Sequence, residues 1–317
     1  MSCDLSVIVA QAEPDAPLSQ CLAALDRACR NVHAEIVVVQ ASGIAPESVP
    51  VCHTPSSTLR LADRPLVPQL WSQGLAVARG RYIAFTLANC EVSDGWAASA
   101  IAALQAGASG VAGPIACAPG VGLVNRAVYF LRYSSFGPSR IADADVPGEI
   151  PGDNAVYPRE ALERHRDVVA EGFWEVLFHR RLRREGGRLC TRRAVSARFL
   201  GGVSLRQAVR HRFAHGRHFG AWRAGECHRP RWQIVVAAPA VPFLLGFRAA
   251  SRVMRSAPDR WSFVFALPAF LVVASAWASG EAVGALYGAA LPAVRVAGDD
   301  ARHLSRKAAG ADTLAVR

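Results

Sequence analysis

The chain has 317 residues, 51% hydrophobic and 19% charged, with a formal net charge of +11 at neutral pH. That length supports one or two domains with a sizeable core, and that balance excludes a disordered chain. The positive excess is local: residues 180–231 hold fifteen arginines against Glu185 and Glu226, which suits an anionic partner such as a phosphate-bearing substrate or a membrane surface. A nucleic-acid partner fits the sign of the charge only, because no recognition motif and no interleaving of aromatic with basic residues accompanies it.

Leu5 to Ala10 is a β-branched apolar run that predicts a buried strand. Leu18 to Cys29 has helical spacing, and Glu35 to Val39 predicts a second strand. Leu70 to Ala78 predicts a helix stopped by Gly80, Arg81 to Thr86 a third strand, and Trp96 to Gln105 a further helix. Strands alternating with helices argue for an α/β layer with a mostly parallel sheet. Ligands of such sheets bind beyond the carboxyl ends of the strands, so Ala12-Glu13, Gln40 to Gly43 and Leu87 to Glu91 should line one cleft. Gly107-x-x-Gly110-x-x-Gly113 lacks the spacing of a dinucleotide-binding loop.

Asn125 to Phe136 predicts an aromatic helix, Gly148 to Pro158 a loop and turn, and Glu171 to Glu185 an amphipathic helix ended by Gly186-Gly187. The eight cysteines show neither a Cys-x-x-Cys pair nor metal-ligand spacing, and no secretory signal precedes Leu5, so free thiols in a reducing compartment are expected. The composition changes near Arg231. Trp232 to Phe247 and Trp261 to Gly280 are uncharged and apolar, and only the second reaches the roughly 20 residues that a membrane span requires. Arg248, Arg252, Arg255 and Arg260 lie between them, where two full spans would set positive charge outside. The expectation is therefore a membrane-embedded or re-entrant helical hairpin with both ends cytoplasmic.

The order of these pieces resembles glycosyltransferase family 2, inverting enzymes of GT-A fold. Leu5 to Val9 and Glu35 to Val39 look like its first two strands, and Ala78-Arg79-Gly80-Arg81-Tyr82-Ile83-Ala84-Phe85 resembles the run that leads into its metal motif. Gly152-Asp153-Asn154 through Arg159 to Leu162 is similar to its acceptor-side segment, and Trp174-Glu175 followed by Arg181-Leu182 and Gly186 to the helix that carries its base. Ala276 to Glu281 resembles a tail of membrane-associated members. The likeness runs from about Leu5 to Gly288.

That resemblance implies a GT-A (Rossmann-like, mostly parallel sheet) domain over residues 1–228, followed by membrane-associated helices and a tail over 229–317. It implies an inverting hexosyltransferase that moves a sugar from a nucleotide-sugar donor to a lipid-linked or cell-envelope acceptor, at the cytoplasmic face of a bacterial-type inner membrane. Glu175 falls at the position of the base, with Glu171 in reserve. Glu13, Gln40 and Asn89 fall on the nucleotide side, and Gly152, Asp153, Asn154 and Trp174 on the acceptor side. The metal motif departs from the family: Leu87 has no ligand atom, and only Asn89 and Glu91 could serve a divalent Mg²⁺ or Mn²⁺ ion, with a neutral carbonyl in place of a carboxylate. Arg180 and Arg181, or the Arg/His cluster from Arg210 to Arg223, are then expected to hold the diphosphate instead. The competing expectation is an inactive member that keeps the fold for binding or scaffolding at the membrane.

Overall fold

A computed structural model describes residues 3–45, 52–146, 148–225, 227–254, 257–290 and 294–295; the expected tail beyond Arg295 lies outside the described residues. In chain order come β1 (Leu5–Gln11), α1 (Leu18–Ala28), β2 (Ala34–Gln40), β3 (Ser56–Arg60), α2 (Val67–Val77), β4 (Tyr82–Leu87), β5 (Cys90–Val92) and α3 (Trp96–Gln105). They are followed by β6 (Gly110–Ala112), β7 (Ile115–Cys117), α4 (Leu123–Tyr133), β8 (Ala144–Val146) and β9 (Asn154–Pro158). Next are α5 (Arg159–Arg164), α6 (Arg166–Val169), α7 (Glu175–Arg184), β10 (Leu189–Thr191) and β11 (Ala197–Phe199). The last part is helical: α8 (Leu205–Gly225), α9 (Arg231–Ala237), a short 3-10 turn, α10 (Val241–Val253) and α11 (Ala257–Tyr287).

Eight strands form one sheet in the order β3-β2-β1-β4-β9-β6-β10-β8, and β5, β11 and β7 form a small second sheet. β1 to β4 run parallel. Every residue of β1 and β4 is buried, as expected of parallel strands covered on both faces. Alternation divides their side chains. Val7, Val9, Ile36 and Val38 pack with α1, α3 and α4 on one face. Ile8, Val37, Val39 and Phe85 pack with α2, α5 and α7 on the other.

The loop expected over Gly148 to Pro158 is half strand. β9 inserts antiparallel between β4 and β6, with Asn154 opposite Thr86 and Val156 opposite both Ala84 and Val111. Only the run Ala155-Val156-Tyr157 signals this, and the turn formers before it mask that signal. The consequence is functional: the start of β9, with Gly152 and Asp153 just before it, lies at the same sheet edge as the end of β4.

α8 is the largest element without a sequence expectation. Its signal is a capping box, since Ser204 N–H donates to Gln207 Oε1 at 2.6 Å and Gln207 N–H to Ser204 Oγ at 3.3 Å. Arginines and histidines on several of its faces hide the usual amphipathic stripe.

α8 crosses α11 backbone to backbone. A Cβ at Gly216 would fall 2.1 Å from the Trp277 carbonyl oxygen, at Gly220 1.9 Å from that of Glu281, and at Gly284 1.8 Å from that of Arg217. Two Gly-x-x-x-Gly patterns, Gly216/Gly220 and Gly280/Gly284, therefore face each other, the spacing that permits such close helix approach. Glu281, buried in this crossing, pairs with Arg223.

The first C-terminal apolar segment is longer than expected. Helical structure runs from Arg231 to Val253, because Pro239 and Pro242 bend the backbone through a 3-10 turn without ending it. The runs Arg231–Val253 and Asp259–Tyr287 are both long and apolar enough to cross a membrane. One side of this pair docks on the α/β layer: Phe263 meets Phe130 of α4 edge to face at 5.3 Å, and Arg126 donates to Ser262 Oγ at 2.8 Å. The other side carries Phe243, Phe247, Trp261 and Phe265, each more than 60% exposed. Such a continuous apolar face suggests membrane association. One hydrophobic cluster joins Val7 and Ile36 in the sheet to Ala249 and Phe270 in the hairpin, so the core crosses the expected 228/229 boundary without a break.

Candidate active site

Glu175 opens α7 and lies against Gly152. A Cβ on Gly152 would come within 3.0 to 3.2 Å of three Glu175 side-chain carbons, so the glycine makes room for the carboxylate. Both residues line a 310 Å³ cavity with Asp153, Arg132, Arg212 and His215. Burial raises the Glu175 carboxyl and the nearby charge of Asp153 adds to it, so that it titrates near about 7 despite the opposing pull of Arg132. Asp153, 5% exposed, accepts from the Arg132 guanidinium and the Tyr133 hydroxyl, both on α4. Arg212 lies under the same roof. Burial and the charge of Arg132 lower it to about 10, which leaves it protonated at neutral pH. It forms no ion pair among the described residues.

α8 supplies this roof and also reaches the sheet edge. Glu13, 6% exposed, accepts from Arg210 at 2.5 Å and from His211 at 2.7 Å. Burial alone would raise Glu13, but the hydrogen bond from His211 and the charges of His211 and Arg210 outweigh it and hold the carboxyl low. At the ends of β1 and β2, Gln40 donates to Gln11 Oε1 at 2.8 Å. Gln11 Nε2 and Gln40 Oε1 are left buried without a partner, a donor and an acceptor side by side.

The other expected residues fall elsewhere. Asn154 is fully buried and its amide is spent on the framework: Trp96 Nε1 donates to its Oδ1 at 2.7 Å and its Nδ2 donates to the Val195 carbonyl at 2.8 Å. Trp174 stacks on His218 of α8 at 3.7 Å and 7°, outside the 310 Å³ cavity, in the wall of a smaller neighbouring cavity that Glu175 also lines. Arg180, Arg181 and Glu171 line a separate cavity on the far side of α7. The arginines that line the cavity beside Glu175 are Arg132 and Arg212, the second of them from the Arg210 to Arg223 cluster that the sequence offered alongside Arg180 and Arg181. Their signal was weak: Arg212 lies inside the Arg210 to Arg223 cluster, and Arg132 inside an aromatic run.

The residues at the end of β4 do not fit a divalent cation. Leu87 and Ala88 offer no side-chain oxygen, and Asn89 commits its Nδ2 to the Gly201 carbonyl at 2.9 Å. Glu91 lies 3.6 Å from Arg198 and 3.9 Å from Arg27, so its charge is spent on arginines of β11 and α1. An ion such as Mg²⁺ takes one or two protein carboxylates beside substrate phosphates and water. Glu91, the carboxylate nearest the end of β4 in the chain, is committed to arginines. Among the described residues no three His, Cys, Asp or Glu side chains converge on one point.

The fold as a whole has counterparts among solved structures. A mannosyltransferase from Pyrobaculum calidifontis, in complex with GDP-Man and Mn²⁺, superposes with a TM-score of 0.50 at 18% identity, over 90% of this chain and 88% of that one. The fold is GT-A-like. Staphylococcus aureus TarS 1-349 follows in complex with UDP (TM-score 0.48, 12% identity, 85% of this chain and 90% of that chain) and in complex with UDP-GlcNAc (TM-score 0.49, 13% identity, the same coverage). No protein-family model and no curated protein sequence matches the chain. Within this GT-A-like frame, Glu175 and Arg212 occupy the ground between the sheet edge and the helical cap.

Proposed function

We propose that the chain is an inverting glycosyltransferase that moves a hexosyl group from a nucleotide-sugar donor to a hydroxyl acceptor, lipid-linked or belonging to the cell envelope, at the cytoplasmic face of a bacterial-type inner membrane. The observation that carries this reading is Glu175, a carboxylate raised to about 7 at the wall of a cavity that it shares with an unpaired guanidinium, Arg212. A base whose pKa lies near the working pH is suited to take an acceptor proton. The GT-A-like fold and the apolar outer face of the hairpin support the donor class and the membrane location.

In the proposed reaction Glu175 takes the proton of the acceptor hydroxyl. The acceptor oxygen bonds to the anomeric carbon from the side opposite the diphosphate. The bond from that carbon to the diphosphate breaks, and its electron pair leaves with the nucleoside diphosphate. Arg212, backed by the Arg132–Asp153 pair, supplies positive charge where the leaving group gains negative charge. Gln11 and Gln40, buried at the ends of β1 and β2, back the nucleotide side from beneath, and α8, bonded to Glu13, closes the site from above.

Calorimetric titration with nucleoside diphosphates and nucleotide sugars, in EDTA and in Mn²⁺, tests this reading. Binding that persists in EDTA is expected. Binding that requires Mn²⁺ would return Asn89 and Glu91 to the role of metal ligands. No binding by a folded sample would favour a fold kept for scaffolding.

A further inference from the structure

Two further cavities lie along α7 and α8, and the smaller of them adjoins Glu175. The larger, 500 Å³, lies between α7 and α8 and is lined by Arg180, Arg181, Arg184 and Trp222. The smaller, 140 Å³, has three tryptophans in its wall, Trp174, Trp222 and Trp277, and reaches Glu175 and Arg212. It shares Trp174, His218 and Trp222 with the arginine cavity, and Glu175, Arg212 and His215 with the 310 Å³ cavity. The three cavities thus share walls in a row, with Glu175 at the junction of the second and third.

The arginine cavity has the chemistry of an anion site. Arg181 is tied to Asp167 at 3.3 Å, and Glu171 is the other acid on the wall. Arg180 stands 5.7 Å from the Trp222 ring and 3.4 Å from Cys227 Sγ, with no carboxylate partner among the described residues. Arg184 likewise forms no ion pair there. Guanidinium groups bind phosphate oxygens in pairs. His218 adds an independent sign. Both its ring nitrogens are buried without a hydrogen-bond partner, although the neutral ring holds one donor and one acceptor. A phosphate oxygen in the cavity would accept from the nitrogen that carries the proton. The mouth includes Gly225 and Ala289, beside Leu286 and Tyr287 at the exposed end of α11.

We infer that the arginine cavity is an acceptor subsite that holds the phosphate of a phosphate ester bearing a free hydroxyl, while the tryptophan-walled cavity leads that hydroxyl to Glu175. The inference rests on the transferase reading. It separates the two ends of the acceptor for a chemical reason: a phosphate oxygen is already anionic and needs no base, whereas a hydroxyl needs Glu175. The phosphate is therefore an anchor and the hydroxyl is the nucleophile. In transfer the hydroxyl proton passes to Glu175, the oxygen–sugar bond forms, and the sugar–diphosphate bond breaks, while the anchoring phosphate is unchanged. A phospholipid with a polyol headgroup and a soluble sugar or polyol phosphate share this chemistry.

The test titrates the full-length protein in detergent with sn-glycerol 3-phosphate, and separately with phosphatidylglycerol in mixed micelles. Both probes are expected to bind, and the Arg180→Ala/Arg184→Ala variant to bind each at least tenfold more weakly. Arg184→Gln, at the solvent-facing end of α7, repeats the measurement if the double variant is unstable. Tighter binding of the lipid than of glycerol 3-phosphate assigns the site to a membrane acceptor, and equal binding to a soluble ester; either supports the subsite. Three results overturn it: no binding of glycerol 3-phosphate, unchanged affinity in the variants, or displacement of glycerol 3-phosphate by UDP or GDP, which would give the arginines to the donor. Failure of the transferase reading is read separately, as the absence of UDP, GDP and nucleotide-sugar binding to the wild-type chain.

Discussion

The carboxyl edge of the parallel sheet and the cavity under α8 are adjacent but differ in charge. At the sheet edge stand the neutral amides Gln11, Gln40 and Asn89, and the acids there are paired, Glu13 with Arg210 and His211 and Glu91 with Arg27 and Arg198. Under α8 stand three carboxylates and two guanidiniums, Glu149, Asp153, Glu175, Arg132 and Arg212, around a volume of 310 Å³. The difference shows where this chain keeps its chemistry. On the proposed reading, positive charge for a leaving group comes from side chains fixed on α4 and α8, not from the turn after β4. Arginines so placed cost little reorganisation at the moment of reaction, which is the condition for electrostatic stabilisation to count.

The sharpest way to break that contrast is to remove the carboxylate. Glu175→Gln is expected to reduce sugar transfer by about 100-fold or more, with nucleotide affinity retained, as measured by turnover and calorimetry on the same sample. Arg212→Ala should follow with a loss of about 10- to 100-fold in nucleoside diphosphate affinity, since a hydrogen bond to a charged group contributes about 1.5–3 kcal/mol. The nucleoside alone should bind as before. If Arg212→Ala leaves diphosphate affinity intact, the charge lies elsewhere.

The scaffold of the roof comes next. Gly284→Ala places a methyl group against the Arg217 carbonyl, at a position 1.8 Å from it before any adjustment. Overpacking of this kind costs about 1–3 kcal/mol, visible as a lower thermal midpoint in detergent. A smaller effect runs in the opposite direction. Glu175 has an ordinary value of 4.5 and is raised to about 7, so between those values the folded chain keeps a proton that the unfolded chain has lost. Stability therefore falls as pH rises from about 4.5 to 7. Glu175→Gln removes that cost and should raise the midpoint at pH 8, by an amount on the order of 1 kcal/mol once water in the cavity is allowed for. The same titration predicts that wild-type transfer rises with pH through about 7 and then levels, as a pH–rate profile would show. Gly152→Ala is the mildest change. It pushes the Glu175 side chain by tenths of an ångström and should lower kcat a few-fold with KM little altered.

The parallel strands β1, β2 and β4 were legible because each is a short apolar run between turn residues, whereas β3, with Ser56, Ser57, Thr58, Leu59 and Arg60, was not; α3 was legible because Trp96, Ala97 and Leu104 recur at helical spacing. β9 was not, since three apolar residues after Gly152-Asp153 carry too little periodicity to outweigh the turn. α8 was not, because its function as a roof puts arginine and histidine on faces that a core helix would fill with leucine. The same fact explains the site. Glu175 stood out only through the resemblance of Trp174-Glu175, Arg181-Leu182 and Gly186 to a family helix, and its cationic neighbours come from α4 and α8, 43 residues before and 37 after it. Only the tertiary fold chooses Arg132 and Arg212 among so many arginines.

The glycine crossing of α8 and α11 has a practical consequence for anyone who wants a soluble fragment. Ending the chain at residue 228 would keep the whole α/β layer and every residue of the Glu175 cavity. It would also strip α8 of the backbone that fills the notches at Gly216 and Gly220, leave Arg223 without Glu281, and uncover Phe130 on α4. The apolar hairpin is thus a structural part of the catalytic half, and crystallisation or assay should begin from the intact chain in a detergent or nanodisc.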